Sequence, residues 1–238
     1  MVDNKNFYNK VWKKTKIRES SDYPEWSILK KWIKNKNNLL EIGPGTRPRL
    51  PIEKSMFLDI SETAVNKLNE IRSGCALLSD LNPLPFLENS HELICAFDVI
   101  EHVEDDQKLL NEISRILSKE GLFVFSIPLH QKYYDKYDEY CGHYRRYGPS
   151  EIEDKLKKAN LKIVGVSKHG LRSKNKIIDN LGVICLKISP KLSAQLSEVF
   201  YTRKIKKTNK NFQLKVGNTK KHLNEFYSAL IVAQKASI

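Results

Sequence analysis

Four acids in the first hundred residues, Glu41, Asp59, Asp80 and Asp98, each stand at the end of an apolar run that reads as a β-strand. The runs are Leu39 to Ile42, Met56 to Ile60, Cys75 to Asp80 and Glu92 to Asp98. The first leads straight into Gly43-Pro44-Gly45-Thr46. A side chain at either glycine would stand where a ligand has to lie, so this turn lets backbone approach a small molecule. A row of carboxylates at strand ends repels phosphates and suits a ligand with ribose hydroxyls, an amino group and positive charge. Dinucleotide chemistry asks instead for glycines at the first, third and sixth positions of a turn that opens a helix. Counted from Gly43 the sixth position is Pro48, and thirteen residues between Gly45 and Asp59 are too few for a helix plus a strand. The first crossover is therefore expected to be short or irregular, and nicotinamide or flavin chemistry does not fit.

Other reactive side chains cluster farther along. His102 follows Glu101 just past the fourth strand, and a tyrosine-rich loop from His130 to Tyr147 carries Tyr134, His143, Arg145 and Arg146. The histidines could move a proton or position a substrate. The planar forks of Arg145 and Arg146 suit a carboxylate or phosphate, with one of them pairing to Asp138 or Glu139; fastening the loop is their other reading. Each strand-end acid, taken singly, would also serve as a helix cap or turn residue.

The elements that must hold these groups alternate strand and helix. Helical stripes follow Ser61 (Ala64, Val65, Leu68, Ile71) and run through Leu109, Leu110, Ile113, Ile116 and Leu117. Another helix is expected from the pattern Ser150-x-x-Glu153. Leu122 to Ile127, Leu161 to Val166 and Phe226 to Ala233 read as the remaining strands. This order implies an α/β fold with one doubly wound, mostly parallel sheet, whose ligands sit beyond the carboxyl ends of the strands. Residues 1–37 read as a helical leader with aromatics on one side, a lid or a cover for a sheet face; residues 38–238 form the main domain.

Composition narrows the setting. In 238 residues, 40% hydrophobic and 29% charged content is ordinary for a globular chain. The apolar runs are far shorter than the ~20 residues that cross a bilayer, and with no signal sequence at the start a cytoplasmic protein is expected. Cys75, Cys95, Cys141 and Cys185 show no ligand spacing, so neither metal nor disulfide is expected. The net charge of +13 is concentrated: residues 172–221 hold thirteen Lys or Arg against two acids. Such a basic insert could face nucleic acid, an anionic membrane or an anionic substrate, or simply be solvated.

The residues Glu41-Ile42-Gly43-Pro44-Gly45-Thr46, Asp59-Ile60-Ser61, Ser79-Asp80-Leu81 and Phe97-Asp98-Val99-Ile100-Glu101-His102-Val103, in this order and spacing, resemble the class I S-adenosylmethionine-dependent methyltransferases. The closest resemblance is to their UbiE/UbiG-like small-molecule group, type 11 or type 23, and Gly142-His143-Tyr144-Arg145-Arg146-Tyr147 looks like a hallmark of one branch. The resemblance spans roughly residues 38–168 and the last strand. It implies a Rossmann-like seven-stranded sheet and S-adenosylmethionine as cofactor, S-adenosylhomocysteine being its product. It implies further that Gly43, Pro44 and Gly45 lie beneath the methionine part with Glu41 near its amino group, and that Asp59 takes the ribose hydroxyls with Ile60 beside adenine. Asp80 and the Leu81 amide would meet the adenine edge, with Phe97 and Asp98 next to the sulfonium. Arg47 departs from the family, standing where a third glycine usually opens a helix. The implied reaction moves a methyl group to a small acceptor, an anionic one included, by in-line displacement; His102 or His143 would act as base if the acceptor must lose a proton, and His130, Tyr134, Arg145 and Arg146 would contact it. A nucleic-acid methyltransferase is the leading alternative, although the polar-Pro-Pro-aromatic motif after the fourth strand is replaced by Asp98-Val99-Ile100-Glu101. A non-catalytic cofactor-binding module is the other. Oligomeric state is left open.

Overall fold

The computed structural model describes residues 3–170 and 213–236. Its seven strands are β1 (Leu39–Ile42), β2 (Ser55–Asp59), β3 (Ala76–Leu78), β4 (His91–Phe97), β5 (Leu117–Pro128), β6 (Leu161–Lys168) and β7 (Ser228–Lys235). They form one sheet in the order β3-β2-β1-β4-β5-β7-β6, parallel throughout except for β7, which runs antiparallel between β5 and β6. The fold is the doubly wound Rossmann-like sheet that the sequence implies. Strand order reverses between β1 and β4, the switch point outside which ligands bind in such sheets.

Helices cover both faces, which is why β1 and β4 are nearly continuous in apolar residues. In β1, Leu40 and Ile42 join the core layer that holds Leu110, Ile113 and Phe125, whereas Leu39 joins Leu29, Ile33, Phe57 and Leu68 on the other face. Helix α2 (Trp26–Ile33) supplies Leu29 and Ile33 to that second layer. Helix α3 (Glu62–Ile71) begins at Ser61, whose hydroxyl accepts from Ala64 N, and turns Ala64, Val65 and Leu68 inward. Helix α4 (Asp106–Ile116) is capped by Asp105 and passes into β5 without a glycine turn; Glu120, not Gly121, takes the left-handed conformation there. Helix α6 (Pro149–Lys158) starts two residues earlier than its Ser150-x-x-Glu153 pattern suggests. Proline favours the first helical position, and the Glu151 carboxylate accepts from the Gly148 amide. Two shorter helices are α5 (Lys136–Cys141) and α7 (Thr219–Glu225).

Between β1 and β2 there is no helix, and the irregular crossover over residues 43–54 agrees with the reading of its prolines. The leader divides in two. Helix α1 (Asn4–Lys13) buries none of its residues and packs on α3, while α2 lies on the sheet. Most of the expected basic insert over 172–221, and Cys185, lie outside the described residues; 213–221 place Leu214 against Gly165 and pair Lys215 with Val166. Among the described residues no helix is long and apolar enough to cross a membrane.

Candidate functional site at the carboxyl rim of the sheet

Gly43 and Gly45 adopt φ of +65° and +55°, a region that L side chains rarely enter. Each also faces a close neighbour. A Cβ at Gly43 would stand 2.6 Å from Val99 Cγ2, and one at Gly45 would stand 2.4 Å from the Trp12 ring. The chain that follows has no helix to stiffen it, and Glu41 does that work. Its two oxygens accept from the Arg49 and Leu50 amides at 2.8–3.0 Å, and it is 1% exposed. Burial pushes its carboxyl up to about 7 against the pull of those amides and of Arg49. The Glu41 side chain is thus turned to the crossover's own backbone.

Asp59 ties two strand ends together. Its Oδ2 accepts from Gly45 N and its Oδ1 from Ser61 N, both at 2.8 Å. Burial lifts it to about 6 despite these bonds. Ile60 beside it is half-buried. Past β3, Asp80 is exposed with no partner among the described residues, and Leu81 is buried with φ of +67° and its amide 3.3 Å from Ser79 Oγ.

At the end of β4, Phe97 lies buried beneath the Arg49 guanidinium, and Asp98 turns outward in a left-handed conformation with its side chain 51% exposed. Asp98 accepts from Ser126 Oγ at 2.8 Å and faces His169 Nε2 at 3.4 Å; the other nitrogen of His169 is 3.0 Å from Glu25. Burial alone would raise the Asp98 carboxyl, but charged His169 and the Ser126 hydroxyl outweigh it and hold it below the usual range. Burial likewise opposes the charge on His169, yet the two carboxylates raise it to about 10.

Helix α1 crosses this rim. Asn9 Oδ1 accepts from Ser61 Oγ and Thr63 N; Thr15 and Thr46 hydroxyls meet at 2.7 Å; and Lys67 Nζ donates to the carbonyls of Trp12, Lys13 and Thr15. The Trp12 ring lies over Gly45 with the Arg47 guanidinium 5.7 Å from its centroid. Arg47, at the position of the usual third glycine, therefore faces the leader.

The tyrosine-rich loop is organised by Asp138, which is fully buried. Its Oδ1 lies 2.7 Å from His143 Nδ1, and its Oδ2 accepts from Arg146 Nε at 2.8 Å and from Asp135 N at 3.0 Å. Burial would raise it, but His143 and Arg146 bring it down to about 2. Arg146 is 2% exposed and stacks 4.6 Å from the Tyr227 ring. Arg145 pairs with Asp106 at 2.7 Å and donates to the Glu104 carbonyl. The expected pairing to Asp138 is there, and the other fork is taken up by Asp106 rather than left for an anion. Tyr134 donates to the His143 carbonyl, and His130, with φ of +63°, sits edge-on to Tyr133.

His102 and His143 meet edge to face with ring centroids 4.5 Å apart. His102 Nδ1 is 3.3 Å from the Gly142 carbonyl and Nε2 is 3.2 Å from the Tyr8 hydroxyl. Burial and the charge of His143 push His102 down to about 3, so it is neutral at ordinary pH. Glu101 stands next to them, 1% exposed, and one ligand-type atom from each of Glu101, His102 and His143 lies within 4.8 Å of the others. The rim thus brings Gly43, Gly45, Asp59 and Asp98 to one edge and pairs His102 with His143, while Arg146 is taken up by Asp138 inside the loop and Arg145 by Asp106 of α4. Sequence reasoning missed Trp12, Asn9, Glu25, Glu101 as a site residue, and His169. Their spacings are those of ordinary helix and loop positions, and only the fold brings them to the rim.

Residues 40–125 match the family model described as a methyltransferase domain. Two uncharacterized proteins of Methanocaldococcus jannaschii are similar: one is 30% identical over 126 residues, 50% of this chain and 47% of that protein; the other is 35% identical over 109 residues, 43% and 46%. The matches span about half the length of these curated relatives. Among solved structures, the YcgJ protein from Bacillus subtilis aligns with TM-score 0.59 at 16% identity, covering 90% of this chain and 99% of that one. A SAM-dependent methyltransferase from Thermotoga maritima, described as a possible histamine N-methyltransferase, aligns with TM-score 0.57 at 18% identity, covering 90% and 91%. Residues 40–125, which match the methyltransferase domain model, hold the glycine turn and all four strand-end acids, and the seven-stranded fold is shared with these solved structures.

Proposed function

We propose that the protein is a methyltransferase that uses S-adenosylmethionine and acts on a small molecule. The observation that carries this reading is Asp59, a buried carboxylate at the end of β2 that is drawn onto the Gly45 amide of a turn with no helix behind it. A site so built offers acceptors and no helix-terminus amides, which fits a cationic nucleoside better than a pyrophosphate. The donor set agrees with the cofactor on three counts: Asp59 can accept from ribose hydroxyls, exposed Asp80 from the adenine amino group, and Asp98 presents negative charge toward a sulfonium. Glu41 supports this from behind by holding the crossover. The positive φ at Gly43 and Gly45 lets the turn's backbone pass beneath the methionine part, with Val99 and Trp12 packed against the two glycines, and Trp12 on Gly45 makes α1 the cover of that end.

Once bound, the cofactor supplies an activated methyl group that transfers by in-line displacement. The protein's part is alignment and exclusion of water, since the thioether that leaves is neutral. Helix α1 and the Asp138-centred loop close over the rim for that purpose. His102, pushed down to about 3 by burial and held between the Gly142 carbonyl and the Tyr8 hydroxyl, is a weak base and would position the acceptor rather than take its proton.

Calorimetry with S-adenosylhomocysteine tests the assignment. Micromolar binding by the native chain, lost in Asp59→Ala and in Gly43→Val, is the expected result. Undiminished affinity in both variants overturns it.

A further inference from the structure

Glu101 is 1% exposed, and neither of its carboxylate oxygens has a hydrogen-bond partner among the described residues. Buried polar groups are ordinarily paired, and one left without donors beside a reaction rim points to a ligand that brings them. None of its described neighbours is hydrogen-bonded to it. His143 commits Nδ1 to Asp138, and His102 lies between the Gly142 carbonyl and the Tyr8 hydroxyl. Half-exposed Asp98, three residues earlier, adds a second negative charge on the open side. Nearby cations are already engaged with acids: Arg145 with Asp106, Arg146 Nε with Asp138, and His169 with Glu25 and Asp98.

We propose that Glu101 anchors the methyl acceptor, and that this acceptor carries an amine whose N–H groups bond to the Glu101 carboxylate, with Asp98 flanking it. The proposal rests on the methyltransferase reading and names the substrate class of that same rim. It departs from the anionic acceptor read from the sequence, since Arg145 is paired with Asp106 and Arg146 Nε with Asp138. Burial, and then the charge of Asp98, also raise the Glu101 carboxyl well above its ordinary range, so an ammonium group that seats there displaces a proton. The titratable groups facing it are Asp98, His102, His143, Asp138, Tyr8 and Tyr147, together with His169 behind Asp98.

The test is calorimetric and needs no turnover. The full chain, saturated with S-adenosylhomocysteine, is titrated with benzylamine, ethanolamine and putrescine, each matched by the alcohol and the carboxylic acid of similar skeleton, in buffers of different ionisation enthalpy. At least one amine is expected to bind about tenfold or more tighter than its matched compounds, with about one proton released per amine bound. Glu101→Gln is expected to lose both the preference and the proton release while its affinity for S-adenosylhomocysteine and its melting temperature hold. If that variant does not fold, the preference and proton count of the native chain decide. Tighter binding of alcohols or acids, no binding of any amine, or a preference that persists in Glu101→Gln overturns the proposal. So does binding of zinc or manganese that Glu101→Gln abolishes in the absence of any amine preference. Failure to bind S-adenosylhomocysteine overturns the methyltransferase reading instead; amines titrated into the cofactor-free chain then test the anchor by itself.

Discussion

Replacing Asp138 by alanine removes the acceptor of three donors at once: His143 Nδ1, Arg146 Nε and the Asp135 amide. The guanidinium of Arg146, 2% exposed, already has one nitrogen, Nη1, without a hydrogen-bond acceptor, and the substitution would strip the charge of its carboxylate as well. An uncompensated buried charge of this kind costs about 3–5 kcal/mol. With a urea dependence of about 2 kcal/mol per molar, the unfolding midpoint should fall by about 1.5–2.5 M. Removing both charges tests whether the loss comes from the stranded guanidinium. In Asp138→Leu/Arg146→Met the space is filled by apolar groups and nothing charged remains, so the double variant should be less destabilised than the sum of its single changes by about 2 kcal/mol. Urea unfolding followed by circular dichroism measures all the variants. A cost below about 1 kcal/mol for Asp138→Ala, or strict additivity in the cycle, would refute the view that this pair locks the loop.

The His169 cluster predicts a pH dependence. His169 is raised from 6.5 to about 10 in the folded chain, so the stability it confers is complete below about pH 6.5 and is lost as pH rises through 10. Between pH 6.5 and 9.5 the native chain should lose more stability than His169→Gln, with a difference in slope of at most about 1.4 kcal/mol per pH unit; equal slopes in chemical unfolding at several pH values count against the cluster. Lys67→Met should free the end of α1, whose three carbonyls the ammonium holds. Amide exchange over residues 4–15 should then quicken by about tenfold or more while β1 and β4 keep their protection. Glu41→Gln keeps the shape of the crossover's brace but halves its acceptor capacity, and it should lower stability by about 1–3 kcal/mol in thermal unfolding, where no measurable change would refute the bracing role.

The fold was largely readable because its signals are local and repeated. Apolar runs ending in acids mark β1 to β4, and the count from Gly45 to Asp59 already excluded a helix from the first crossover. The site was readable only where it is made of strand ends. That Glu41 would turn its oxygens to the Arg49 and Leu50 amides, eight and nine residues on, depends on how a loop without secondary structure folds back, and no periodicity encodes that. His169 meets Glu25 across 144 positions of sequence, and Trp12 finds Gly45 only because Asn9, Thr15 and Lys67 fasten α1 across the rim. The run Gly142 to Tyr147 was legible as a unit, but its counterions were not: Asp138 draws Arg146 inward, and Asp106 on α4 takes Arg145. Both readings of the two forks, an anionic acceptor and the fastening of the loop, stood open in the sequence, and the counterions that bear on them are Asp138 and, on α4, Asp106.

The placement of β7 bears on how the chain must assemble. Residues 228–235 fill the gap between β5 and β6, with Leu230, Ile231, Val232 and Ala233 fully or almost fully buried. Until residue 235 has left the ribosome, β5 presents a bare edge of hydrogen-bonding groups and β6 has no neighbour to join. At about 5–20 residues per second, that interval is several seconds after β5 itself emerges, long enough for an open edge to seek a stray strand. Newly made chains of this protein should therefore depend on chaperones most strongly between the synthesis of β5 and that of the closing strand.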